Sequence, residues 1–97
     1  MNLRPLARDQ DCQIRIPGVC NGDTATTVLA HYRMAGLCGI ASKPNDLLGA
    51  DACDCCHAAV DGRTKTQFSR DELRLMFAEG VMRTIDARMK FLKVVKQ

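Results

Sequence analysis

The sequence has no tryptophan, one tyrosine and three phenylalanines, so the large rings that usually anchor a small core are nearly absent. No apolar run approaches the length of about 18 to 20 residues that crosses a bilayer as a helix. That excludes a helical membrane span. The first nine residues, Met1 to Asp9, carry charges every few positions and no apolar stretch, which argues against a secretory leader and for a cytoplasmic location. Net charge is only +3, too little by itself to specify a polyanionic partner. A chain of 97 residues is expected to form one domain, over 1–97, and buries only about 60 to 65 % of its unfolded surface. Burial alone leaves such a domain marginal, and a cross-link is needed.

The six cysteines are the evident cross-link. Cytoplasmic thiols stay reduced, so cysteines placed in pairs are expected to bind metal rather than each other. Cys53-Asp54-Cys55-Cys56 holds a C-x₂-C spacing through Cys53 and Cys56, which sets two thiolates on one tight turn. Cys12 and Cys20 bracket Pro17-Gly18, a turn signal that can close the same way despite the wide gap. Together the four give a closed thiolate site for a structural zinc ion, with Cys38 as the other candidate for the fourth ligand. Cys38 and Cys55 are otherwise surplus and read as small buried hydrophobes.

Along the chain, residues 1–11 read as an arm or short helix, with Pro5 tolerable in a first turn. Cys12 to Gly22 alternates apolar and polar through Ile14 and Ile16 and predicts a hairpin-like knuckle. Thr26 to Tyr32 predicts a strand that delivers His31. Gly36 to Asp46 should be loop, Leu47-Leu48 should open an extended piece running to Cys53, and Cys56 to Asp61 should be a short helix stopped by Gly62. Ser69-Arg70-Asp71-Glu72 matches a capping box, and Leu73, Met76, Phe77, Val81, Ile85, Met89 and Leu92 recur at helical steps. They predict a long amphipathic helix over 69–95, with a break near Gly80. Its stripe packs either on the core or on a second copy in a homodimer. The fold class is α+β.

Only two histidines are present, and both adjoin the cysteine region. His57 and Asp61 stand at i and i+4, which puts an imidazole and a carboxylate on one helix face. They can share a divalent cation such as Mg²⁺ or Mn²⁺ with open positions, and such an ion can polarise a scissile phosphate. His31, arriving on another element, could activate water. Arg4, Arg8, Arg15, Arg33, Lys43, Arg63 and Lys65 fall in or next to the Cys/His-containing half of the chain, and a basic rim suits a phosphate-bearing substrate.

The run Leu29-Ala30-His31-Tyr32-Arg33, then Gly36, Gly39, Lys43-Pro44-Asn45-Asp46, and finally Cys53-x-x-Cys56-His57-x-x-x-Asp61 resembles the YbcO-type family of lambdoid prophages, within the HNH (His-Me finger) superfamily of nucleases. Cys12 to Gly22 is similar to that family as well, and the resemblance covers roughly residues 3 to 64. It implies a zinc-stabilised ββα-metal core over 12–64 that cleaves phosphodiester bonds in nucleic acid, with DNA the expected partner. His31 would be the general base, braced by Asp46 or by Asn45, while His57 and Asp61 would hold the catalytic cation and Arg33, Lys43, Arg63 and Lys65 would contact nucleic acid. Many HNH enzymes carry a metal-binding Asp or His just before the base; here Ala30 stands there, leaving the cation one protein ligand fewer. The competing reading is a non-catalytic zinc-binding module for DNA or protein. A redox role for Cys55-Cys56 ranks last, since vicinal cysteines lack the Cys-x-x-Cys geometry.

Overall fold

The computed structural model describes residues 3–33 and 45–92. Strand β1 (Val28–His31) pairs antiparallel with β2 (Gly49–Ala52), in the register Val28 to Ala52, Leu29 to Asp51, Ala30 to Ala50 and His31 to Gly49. Helix α1 (Asp54–Val60) follows β2 directly, and α2 (Arg70–Leu92) crosses back to pack mainly on β2. Short 3₁₀ turns occupy Arg4–Ala7, Thr24–Thr26 and Asp46–Leu48. This is an α+β arrangement with a two-stranded sheet.

Three expectations about the backbone fail. Leu47-Leu48 closes a 3₁₀ turn, so the extended piece opens only at Gly49. Cys12 to Gly22 forms no strand ladder, because Arg15 (φ 57°) and Gly18 (φ 75°) take left-handed backbone and Pro17 lacks an N–H. The segment turns on itself instead, and still buries Ile14 and Ile16. Helix α2 runs unbroken through Gly80. A β-carbon at Gly80 would lie 3.0 Å from Ile14 Cγ1 and 3.1 Å from the Gln13 carbonyl oxygen, so the glycine is there for close approach rather than for a kink.

The capping box forms as expected: Ser69 N–H donates to Glu72 Oε1 at 2.8 Å and Glu72 N–H to Ser69 Oγ at 3.1 Å. On α2, Phe77 and Val81 are buried and Met76 and Ile85 partly so, whereas Met89 of the expected stripe is exposed. Further along the same buried face lie Thr84 and Arg88, both polar. Their partner is Asp51, the central residue of β2 and 1 % exposed. Arg88 donates to Asp51 Oδ1 at 2.6 Å, and the Asp51 N–H donates to Thr84 Oγ1 at 3.0 Å. Burial pushes the Asp51 carboxyl above the ordinary carboxylate value, and the Arg88 guanidinium opposes that shift. Among the described residues, no helix is long and apolar enough to cross a membrane.

Candidate metal centre and active-site cleft

Cys12, Cys20, Cys53 and Cys56 bring their sulfurs within 4.8 Å of one another. Cys53 and Cys20 are 3.9 Å apart, close to the edge of about 3.8 Å expected of a tetrahedron with Zn–S bonds near 2.3 Å. Cys53 caps α1, its sulfur accepting the Cys56 N–H at 3.4 Å. The contact between the Cys12 and Cys56 sulfurs favours a thiolate on Cys12, holding that thiol below its ordinary value, while the same contact and burial push the Cys56 thiol up. Cys12, Cys53 and Cys56 are buried and Cys20 is half-buried. A soft, closed, largely water-excluded set of four thiols fits a structural zinc and offers it no open position. Cys55 is exposed beside Asn21, contrary to its reading as a buried hydrophobe, because it lies on the outer face of α1. Cys38 and Lys43 lie outside the described residues.

On the sheet, β1 ends at His31, whose Nε2 is 2.7 Å from Asp46 Oδ1. The other Asp46 oxygen accepts the Leu3 N–H at 2.9 Å. The His31 ring and the Leu3 amide together hold the Asp46 carboxyl below its ordinary value of 3.8. An ionised carboxylate can only accept, so His31 Nε2 carries a proton, and in the neutral ring Nδ1 is then the nitrogen with the lone pair. Asn45, the alternative brace, instead caps the 3₁₀ turn, its Oδ1 accepting the Leu47 N–H at 2.9 Å. It sets the turn that presents Asp46. Ala30 is buried and paired with Ala50, so the residue before His31 faces the core, where a ligand could not reach solvent.

One helical turn brings His57 Nε2 and Asp61 Oδ2 to 3.3 Å, near the spacing of about 3 Å between adjacent ligands of a six-coordinate ion at roughly 2.1 Å. Arg63 approaches the same Asp61 oxygen at 3.4 Å. Two residues alone make only a partial coordination set.

A cleft of about 630 Å³ joins these elements. His31, Tyr32 and Arg33 form one wall, Asp61, Thr64 and Lys65 a second, and Arg70, Arg74 and Phe77 of α2 a third. Of the expected basic residues, Arg33 and Lys65 line it, while Arg63 turns to Asp61. Arg70 and Arg74 were not foreseen. Their only sequence signal is an i, i+4 pair of arginines on the first turns of α2, at helical steps from Phe77 and Val81 and so on the same face as the apolar stripe that dominated the reading of that helix.

The family model described as "Putative nuclease YbcO" matches residues 1–92. The chain belongs to this family. The match includes α2, beyond the residues 3–64 over which the motifs are legible. Two curated relatives, "Putative nuclease YbcO" of Escherichia coli (strain K12) and "Putative nuclease ybcO" of Enterobacteria phage 82, are each 56 % identical over 63 residues, or 65 % of this chain. The chain spans 66 % of the length of each, just under two thirds. A solved structure, of "a putative bacteriophage protein from Escherichia coli str. K-12 substr. MG1655", is 37 % identical and superposes with a TM-score of 0.74 over 95 % of this chain and 100 % of that one. The family is a nuclease family by its description, and in this chain four cysteines lie close enough together to hold a metal such as zinc.

Proposed function

We propose that the protein is a metal-dependent endonuclease of HNH type, acting on DNA, with a structural zinc on Cys12, Cys20, Cys53 and Cys56. The observation that carries the reading is the His31–Asp46 contact at 2.7 Å on the wall of a cleft shared with Asp61 and four cationic side chains. The order β1, β2, α1, with the histidine at the end of β1 and the His57–Asp61 pair on and just after α1, supports the same reading.

Asp46 fixes the His31 tautomer, so that Nδ1 can accept a proton from water as it attacks phosphorus, and the carboxylate then stabilises the imidazolium that forms. His57 and Asp61 would hold a divalent cation, which would supply Lewis-acid stabilisation of the phosphate and the leaving oxygen. Arg33, Lys65 and Arg70 neutralise substrate phosphates. Asp61 would exchange its contact with Arg63 for the cation.

The direct His57–Asp61–Arg63 chain equally favours a second reading, in which this end of α1 is a closed ion-pair network and the protein binds nucleic acid without cutting it. Plasmid nicking with added Mg²⁺ or Mn²⁺ separates the two. His31→Ala should lose activity by about 10² to 10⁴-fold and keep its zinc; His57→Ala should recover in part with excess cation, and His31→Ala should not. A wild-type protein that binds DNA and cuts neither plasmid nor single-stranded DNA with either cation establishes the second reading.

A further inference from the structure

The cleft is an unusual receptacle for a phosphate backbone alone, because much of its lining is apolar or aromatic. Tyr32, Phe68, Phe77 and Leu73 lie among the cations. The Arg74 guanidinium sits 4.9 Å over the Tyr32 ring, and Tyr32 in turn meets Phe77 edge-on, with centroids 4.9 Å apart and planes at 80°. Phe77 is buried and anchors this stack to the core. No carboxylate among the described residues makes a salt bridge with Arg74, although the residue is half-buried. The Arg74 guanidinium is therefore seated over an aromatic ring, in a cleft that His31 also lines. Arg70, one helical turn earlier, adds a second cation to the same wall.

A planar cation backed by an aromatic ring, next to apolar surface and a further cation, matches an unpaired nucleotide: the flat base stacks on the guanidinium and the phosphate meets the second charge. A base inside a duplex is stacked and paired, and would enter only by flipping out at an energetic cost. We infer that the cleft takes an unpaired nucleotide of a DNA single strand, its base stacked on Arg74 and its phosphate on Arg70, so that the preferred substrate contains single-stranded DNA. The inference rests on the reading of this cleft as a nucleic-acid site, and deepens it by naming the form of the strand.

Binding tests it without relying on cleavage. Fluorescence anisotropy with zinc-loaded protein and no added divalent cation would compare a labelled twelve-residue oligothymidylate (an arbitrary probe length, roughly one site size), the matching blunt duplex, and the same strand with its central bases removed. The single strand should bind about tenfold more tightly than the duplex, and the abasic strand should lose about that factor. Arg74→Lys, which keeps the charge and loses the plane, should weaken the single strand about tenfold and leave the duplex within about twofold. Arg70→Gln should lower the salt dependence of binding for both. Equal affinity for single strand and duplex, or an abasic strand that binds as well as the intact one, overturns the inference in the wild-type protein, whatever the variants do. Should the preference hold while Mg²⁺ and Mn²⁺ support no cutting, the nuclease reading fails and the nucleotide site stands.

Discussion

Asp46 joins parts of the chain that are 43 residues apart, taking the Leu3 amide on one oxygen and the His31 ring on the other. Because both partners favour the ionised form, the carboxyl titrates lower in the folded protein than in the unfolded chain, whose value is near 3.8. A depressed carboxyl stabilises the fold above its unfolded value, and that contribution is lost as pH falls through the folded value. Thermal melts of the wild type and Asp46→Asn should therefore differ by a constant amount above about pH 5 and converge at lower pH; a difference that grows on acidification would contradict the sign. In the nicking assay the same variant should be slow, because an amide at position 46 no longer fixes the protonated nitrogen of His31. Ala30 shows the converse constraint. Its place in the pleat, opposite Ala50, commits it to the core whatever chemistry is available next door.

At the scale of elements, α2 is held at its start by a cap and in its middle by a missing side chain. Ser69→Ala removes the hydroxyl that accepts the Glu72 N–H and should cost about 1 kcal/mol in denaturant unfolding. Gly80→Ala sets two effects against each other: a gain of about 1 kcal/mol in helix propensity and an overpacking penalty of about 1 to 3 kcal/mol against the Gln13 carbonyl and the Ile14 backbone, 3.1 Å away. Backbone atoms yield less than a side-chain tip, so the penalty wins and the melting temperature falls. A rise would mean that the segment from Cys12 to Ile16 can move away. That segment is also pinned by Arg83, whose Nε donates to the Gln13 carbonyl at 2.8 Å, so α2 positions the first pair of cysteines as well as the cleft.

For the whole molecule, the four cysteines gather the 12–20 segment, the exit of β2 and the start of α1 at one point. A domain with so few aromatic residues depends on that point. Cys53→Ser, or a strong chelator, should abolish zinc binding and cooperative melting together, because the binding free energy of a structural zinc is folding free energy; a chelated protein that melts as before would refute this. Independently, Arg88→Met leaves the buried Asp51 carboxylate unpaired and should cost about 3 to 5 kcal/mol, a fall in melting temperature of more than about 12 °C. The sequence alone determined what depends on neighbours along the chain: the C-x₂-C turn of Cys53 and Cys56, the short helix ended by Gly62, the capping box at Ser69, the strand carrying His31, and the i, i+4 pair of His57 and Asp61. Tertiary structure decided what depends on elements meeting. It selected Asp46 over Asn45 as the partner of His31, put two polar residues of α2 against Asp51 in the core, closed Cys12 and Cys20 onto Cys53 without a hairpin, and turned Arg70 and Arg74 into a wall of the cleft. Periodicity records only how polar each face of a helix is; which face another element will cover, and with what partner, is settled by contacts between residues far apart in the chain.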